Sequence, residues 1–106
     1  MSEGNMLGAW SETKPAGGDF TMLTSWLRYI SEETTKRKFN EFKPIEYKEQ
    51  LVHGKNYVIK VQVGENDYVL LQVFQSFPLG NKVETKFEGV QDDHKRDDPL
   101  KPFKPF

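Results

Sequence analysis

Cysteine is absent from this chain of 106 residues. No disulfide can form, no thiolate can serve as nucleophile or metal ligand, and no oxidising compartment is required. Long apolar runs are missing too, since none approaches the roughly 20 residues that span a bilayer. The opening Met1-Ser2-Glu3-Gly4-Asn5 has neither the basic start nor the apolar core of a secretory signal. Nor does either charge sign dominate. The 15 Lys and Arg stand against 16 Asp and Glu, a formal charge of −1, which gives no reason to expect nucleic acid or a membrane surface as partner. Histidine is scarce: His53 and His94 read as belonging to different loops, with no metal-ligand spacing around either. His94 lies among Asp92, Asp93, Lys95 and Arg96, a solvated charged stretch. Serines and aspartates form no triad-like set, and Gly64 and Gly80 are isolated turn glycines, not a phosphate cradle. The expectation is a cytoplasmic protein that is not an enzyme and takes neither cofactor nor metal.

What is present is an ordinary globular composition, 36% hydrophobic and 29% charged, sufficient for one modest core in a single domain spanning residues 1–106. Residues 1–18 hold Gly4, Gly8, Pro15, Gly17 and Gly18 with Met6, Leu7 and Trp10 scattered among them. Neither structural period is visible, so this segment reads as a flexible or extended trunk. Asp19 is placed to cap a helix. Beyond it Phe20, Leu23, Leu27 and Ile30 recur at three- and four-residue steps, with Trp26 beside them, giving one apolar stripe on a helix to about Lys36. Glu33 and Arg37 stand four apart near its end and read as an ion pair.

From Phe42 the period becomes two. Ile45 and Tyr47 alternate with Glu46 and Lys48; Tyr57, Ile59, Val61 and Val63 alternate with Val58, Lys60 and Gln62. Tyr68 to Phe74 is a further β-rich run, apolar at nearly every position. Gly64-Glu65-Asn66-Asp67 makes the turn between these runs. Ser76 to Lys82, with Pro78, Gly80 and Asn81, is the next loop. A last strand is expected over Val83–Val90 and an irregular tail over Gln91–Phe106. The fold class is therefore α+β, a single N-terminal helix packed on a four-stranded antiparallel sheet, with Leu23, Leu27 and Ile30 facing Tyr57, Ile59 and Val61.

Between the first two strands lies Gln50-Leu51-Val52-His53-Gly54, which fits the pattern Gln-x-Val-x-Gly. It occurs with a glycine in the trunk, a preceding amphipathic helix and a second loop bearing Phe77-Pro78. Further strings agree: Lys38-Phe39 with Phe42-Lys43, Asn56-Tyr57 with Ile59-Lys60-Val61, Val73-Phe74-Gln75-Ser76, and Asp97-Asp98 with Leu100 and Phe103. Over residues 6–103 the chain resembles the stefins, the type 1, intracellular cystatins. The absence of disulfides agrees with stefins and not with secreted cystatins.

That resemblance implies a reversible, tight-binding, competitive inhibitor of papain-like cysteine proteases, of the cathepsin L, S, H or B kind. Three elements would fill the protease cleft. The trunk carries over as Met6, Leu7 and Gly8, the glycine letting the backbone pass a narrow site. The first hairpin loop carries over as Gln50, Leu51, Val52, His53 and Gly54. The second loop carries over as Phe77 and Pro78, a preorganised apolar patch. His53 stands where stefins commonly have a small residue, and Leu51 and Phe77 are bulkier than the family pattern. Lys104-Pro105-Phe106 runs past the family's usual end. The competing reading is a non-inhibitory protein-binding module on the same scaffold with altered loops. The chain is read as a monomer, with domain swapping through the first hairpin as the route to a dimer.

Overall fold

The computed structural model describes residues 9–78 and 80–104. Strand β1 (Lys14–Pro15) precedes the single described helix α1 (Asp19–Thr35), followed by β2 (Lys43–Val52), β3 (Gly54–Gly64), β4 (Asp67–Gln75) and β5 (Thr85–His94). The five strands form one antiparallel sheet in sequence order. Four were expected from the sequence; the fifth is the two-residue β1, which the trunk contributes.

Helix α1 forms where the apolar stripe predicts it. Phe20 and Leu27 are buried, Leu23 and Ile30 pack against the same cluster, and Trp26 instead stands exposed at the flank of the stripe. The N-cap is Gly18, with no side-chain cap bond, and Asp19 is the first helical residue. The amides of Phe20 and Thr21 donate to the carbonyls of Gly17 and Gly18 at 3.0 and 3.1 Å. Those tight backbone turns satisfy orphan donors that a capping carboxylate would otherwise serve. At the other end Lys36 takes φ 62°, a left-handed C-cap whose amide donates to the Glu32 carbonyl. This turn removes Arg37 from the helical ladder. It pairs with Asp67 at 2.6 Å and Asp92 at 2.5 Å, on β4 and β5, and not with Glu33.

The sheet is covered on both faces. On the inner face Tyr57, Ile59, Val61, Val63, Val69, Leu71 and Val73 pack with Phe20 and Leu27 of α1. On the outer face Val58 and Leu70 are buried beneath Leu100. The cover is the chain after β5, which folds back across the strands as a strap. Lys60, only 1% exposed, donates from Nζ to the carbonyls of Arg96 and Asp98 at 2.5 Å each. Gln72, fully buried, donates to the Lys104 carbonyl at 3.0 Å while its Oε1 accepts the Phe103 and Lys104 amides. One side-chain amide thus replaces a missing strand partner. Gly89 leaves room for this contact, since a Cβ there would lie 2.7 Å from Lys104 Cδ and 3.3 Å from the Phe103 ring.

Three boundaries therefore differ from expectation. The last strand is Thr85–His94 and not Val83–Val90, so His94 ends a strand instead of lying in a loop. Its Nδ1 is 2.9 Å from Asp98 and its Nε2 2.7 Å from Gln91. The tail after it lacks regular structure but is docked. The trunk, from Trp10 on, is likewise paired along β2.

Candidate functional site

One row of residues crosses the whole sheet near one end. Trp10 bridges to Gln50, which is opposite Asn56, then Phe74, then Lys86. The trunk, the first hairpin and the approach to the second loop meet on this row. Beyond it at that end the strands continue for only one or two residues before the loops.

Trunk placement comes from β-type bonds to the free edge of β2. The Ser11 amide donates to the Glu49 carbonyl at 2.8 Å, the Glu49 amide donates to Ser11 Oγ at 3.0 Å, and the Ala16 amide donates to the Ile45 carbonyl at 2.9 Å. Lys14 Nζ reaches Glu49 Oε2 at 3.1 Å, and this hydrogen bond holds the ammonium above its ordinary pKa. Because this segment runs antiparallel to β2, Ala9 lies at the hairpin end. Met6, Leu7 and Gly8 lie outside the described residues.

The first hairpin closes as tightly as a hairpin can. Val52 pairs with Gly54, leaving only His53 between the strands. Asn56 Nδ2 donates to Gln50 Oε1 at 2.9 Å, tying the two arms beneath the tip. Gly54 is buried with φ +126°, a region that side chains disfavour. A Cβ there would overlap the Gln75 carbonyl oxygen and come within 2.9 Å of two carbons of the Phe74 ring. The glycine thus permits β4 to approach the hairpin base. Leu51, 46% exposed, lines a groove with Ala9, Trp10, Glu49 and Lys55. Val52 and His53 border another with Asn56, Phe74 and Glu88.

The second loop is pinned at its neck. The Ser76 amide donates to the Glu84 carbonyl and the Glu84 amide to Ser76 Oγ, both at 2.9 Å. Gln75 Nε2 reaches Thr85 Oγ1 at 3.1 Å. Phe77, 48% exposed, and Pro78 share a groove with Lys55, Tyr57 and Gln75. Lys55 lies opposite Gln75 in the sheet, so the two loops emerge side by side. Burial pushes the Tyr57 phenol pKa up, and it stays neutral at physiological pH.

All seven described residues named from the sequence, Gln50 to Gly54 with Phe77 and Pro78, therefore gather at one end. Leu51, Phe77 and Val83 are exposed apolar side chains there; Met22, Trp26 and Tyr29 on the helix are the other large ones among the described residues. Sequence reasoning missed Trp10, Asn56 and Phe74. Trp10 stands in a stretch without period, and the size of its indole is the only signal that could have marked it. Among the described residues no group of three or more His, Cys, Asp or Glu could hold a metal ion. Among the described residues no helix is long and apolar enough to cross a membrane.

The model of the Cystatin domain matches residues 28–97. Cystatin-A1 of Sus scrofa is 38% identical over 102 residues, covering 96% of this chain and 98% of its own. Cystatin-B of Ovis aries is 47% identical over 77 residues, covering 73% of this chain and 79% of its own. Cystatin-B of Homo sapiens is 46% identical with the same coverage. The chain belongs to the cystatin family, in its stefin branch. Members of this family are inhibitors of cysteine proteases and not enzymes. The helix on an antiparallel sheet is the stefin architecture, and the Gln-x-Val-x-Gly string lies inside the matched span.

Proposed function

We propose that this stefin blocks papain-like cysteine proteases by filling the active-site cleft with a wedge built from the trunk, the first hairpin loop and the second loop. The observation that carries this reading is the single cross-sheet row on which the three elements meet, with Leu51 and Phe77 held out to solvent beyond it. Met6, Leu7 and Gly8 would occupy one side of the cleft, Val52 and Leu51 its centre, and Phe77-Pro78 the other side. His53 at the hairpin tip contributes to choice of protease.

No nucleophile or scissile geometry is required for such a wedge. It excludes substrate by occupancy, so inhibition is reversible and competitive. Protease–inhibitor interfaces bury about 1,600 Å² and become tight when the surfaces are preorganised. The short hairpin, the pinned neck of the second loop and the paired trunk all reduce what must be ordered on binding. The protein acts inside the cell as one domain and as a monomer, on cathepsin-type enzymes.

The test is a titration of papain and a cathepsin-L-like enzyme, with residual activity measured after dilution. Stoichiometric loss, recovered on dilution and competed by substrate, supports the wedge. No inhibition at micromolar protein refutes it and favours a stefin scaffold that binds another partner through the same loops.

A further inference from the structure

At the hairpin end the inner apolar cluster stops at Phe20, Tyr47 and Tyr57, whose rings pack with centroids 4.3 to 6.0 Å apart. The same face of the sheet runs on past those rings, and strand alternation fixes what it carries. Lys55 precedes Tyr57 by two positions on β3. It lies opposite Leu51 on β2 and opposite Gln75 on β4, so these three side chains share the face. Glu49, opposite Tyr57, is the next residue inward on β2.

One carboxylate there meets two ammonium groups. Lys14 Nζ donates to Glu49 Oε2 at 3.1 Å, whereas Lys55 Nζ lies 3.5 Å from Oε1. Glu12 adds its field to Lys14 as well. Lys55 is left with a single, longer ion-pair contact among the described residues, on a side chain that is 44% exposed. Such a contact orients an ammonium and leaves most of its hydration in place. The surroundings are apolar. Lys55 borders one groove with Leu51, a second with Phe20 and Tyr57, and a third with Phe77 and Val83. Leu51, Phe77 and Val83 are exposed, so the cation stands between the apolar side chains that the two loops present.

We infer that Lys55 is a specificity-determining residue of the wedge, selecting proteases that carry a carboxylate on the rim of the cleft between the seats of the two loops. Docking of Leu51 and Phe77 expels water around the ammonium, and the distant Glu49 oxygen does not replace that hydration. A carboxylate on the protease supplies the missing partner. A neutral or basic rim leaves the charge desolvated and unpaired, so discrimination comes from the penalty as much as from the attraction. The inference deepens the wedge reading and rests on it, since Lys55 meets the rim only when both loops enter the cleft.

The experiment measures association rates and inhibition constants of the full chain with papain and a cathepsin-L-like enzyme over a range of salt. Lys55→Gln should slow association with the more tightly inhibited enzyme roughly threefold to tenfold at low salt. That difference should fade toward 1 M salt, where the screening length is about 3 Å. The ratio of the two inhibition constants should shrink with it. Lys55→Arg keeps the charge and should keep the parental ratio. Lys43→Gln removes the same charge from an exposed site at the far end of β2, and should leave the ratio unchanged. Lys55→Glu should inhibit worst, and one variant of the preferred enzyme with a single rim Asp or Glu changed to Lys should recover its inhibition.

An unchanged ratio in Lys55→Gln overturns the inference while the wedge stands. Equal effects of Lys55→Gln and Lys43→Gln, or no rim variant that recovers Lys55→Glu, overturn it too. If the parent protein inhibits neither enzyme, the wedge reading falls and this one with it.

Discussion

Gly54→Ala is expected to be among the most damaging single-methyl substitutions in this protein. The residue sits at φ +126°, and the new Cβ would lie 2.9 Å from Phe74 Cε1 and Cζ and overlap the Gln75 carbonyl oxygen. A phenyl ring at the free end of a side chain can rotate away. A backbone carbonyl in the β4 ladder cannot move without disturbing the pairing of Lys55 with Gln75. Strained backbone at a non-glycine costs about 1–3 kcal/mol, and overpacking of this kind adds about 1–3 kcal/mol. A loss of about 3 kcal/mol is the central expectation, and at roughly 4–8 °C per kcal/mol the melting temperature should fall by about 12–24 °C. Urea denaturation followed by circular dichroism reads the loss directly, with an unchanged slope showing that the unfolded state is not the cause. Gly89→Ala is the control, because its closest neighbour is the flexible Lys104 side chain, and it should cost less than half as much. A cost under 1 kcal/mol for Gly54→Ala, or equal costs for the two, would refute the argument that the hairpin base needs glycine.

Lys60→Met should remove about 2 kcal/mol, since two charge-assisted bonds to strap carbonyls are lost and the relief from burying an ammonium offsets only part. Hydrogen exchange at the Asp98 amide, which donates to the Lys95 carbonyl at 3.1 Å, should quicken far more than exchange in β3; uniform quickening would contradict a fastening local to the strap. Acid should destabilise the fold through two carboxylates. The Phe39 amide holds the Glu32 carboxyl below its ordinary pKa, and the Lys95 amide, then His94, do the same for Asp98. Depressed carboxylates stabilise above their unfolded pKa, about 4, and that stabilisation is lost as pH falls through the lower folded values. The urea midpoint should therefore drop below about pH 4, less steeply in Glu32→Gln/Asp98→Asn; parallel curves for the two proteins would sink the assignment.

Much of this molecule could be read from sequence because most of its elements bury one face. A stripe of Phe20, Leu23, Leu27 and Ile30 has only one helical arrangement that hides it, and the strict alternation from Tyr57 to Val63 has only one strand register. The hairpin loop was legible for a different reason: Gln50 to Gly54 is a short string with its own spacing, bounded by β-runs on both sides. The helix cap was placed on Asp19, one residue late, because a capping side chain is a sequence signal and a pair of glycine carbonyls is not. Arg37 was assigned to Glu33 because spacing along a helix is visible in sequence, whereas the left-handed turn at Lys36 is not.

The outer face was the real omission, and its trace was present in the sequence. Tyr68 to Phe74 is apolar at nearly every position, which a strand exposed on one side has no reason to be. Such a run calls for a cover on each face, and α1 supplies only one. The candidate for the second cover was Leu100 with Phe103, in a tail whose prolines and charges suggested irregularity; irregular backbone can still dock when its amides and carbonyls find partners. Lys60 and Gln72 supply those partners, and both read as solvent-facing because their polarity is judged without knowing what lies above them. Trp10 was hidden by the same fault. An indole in a segment without period has no face to be assigned to until the outer cluster is in place. The polar residues of the outer face that escaped notice are thus the ones whose burial depends on a segment more than 30 positions away, as in the pairings of Lys60 with Arg96 and Gln72 with Lys104.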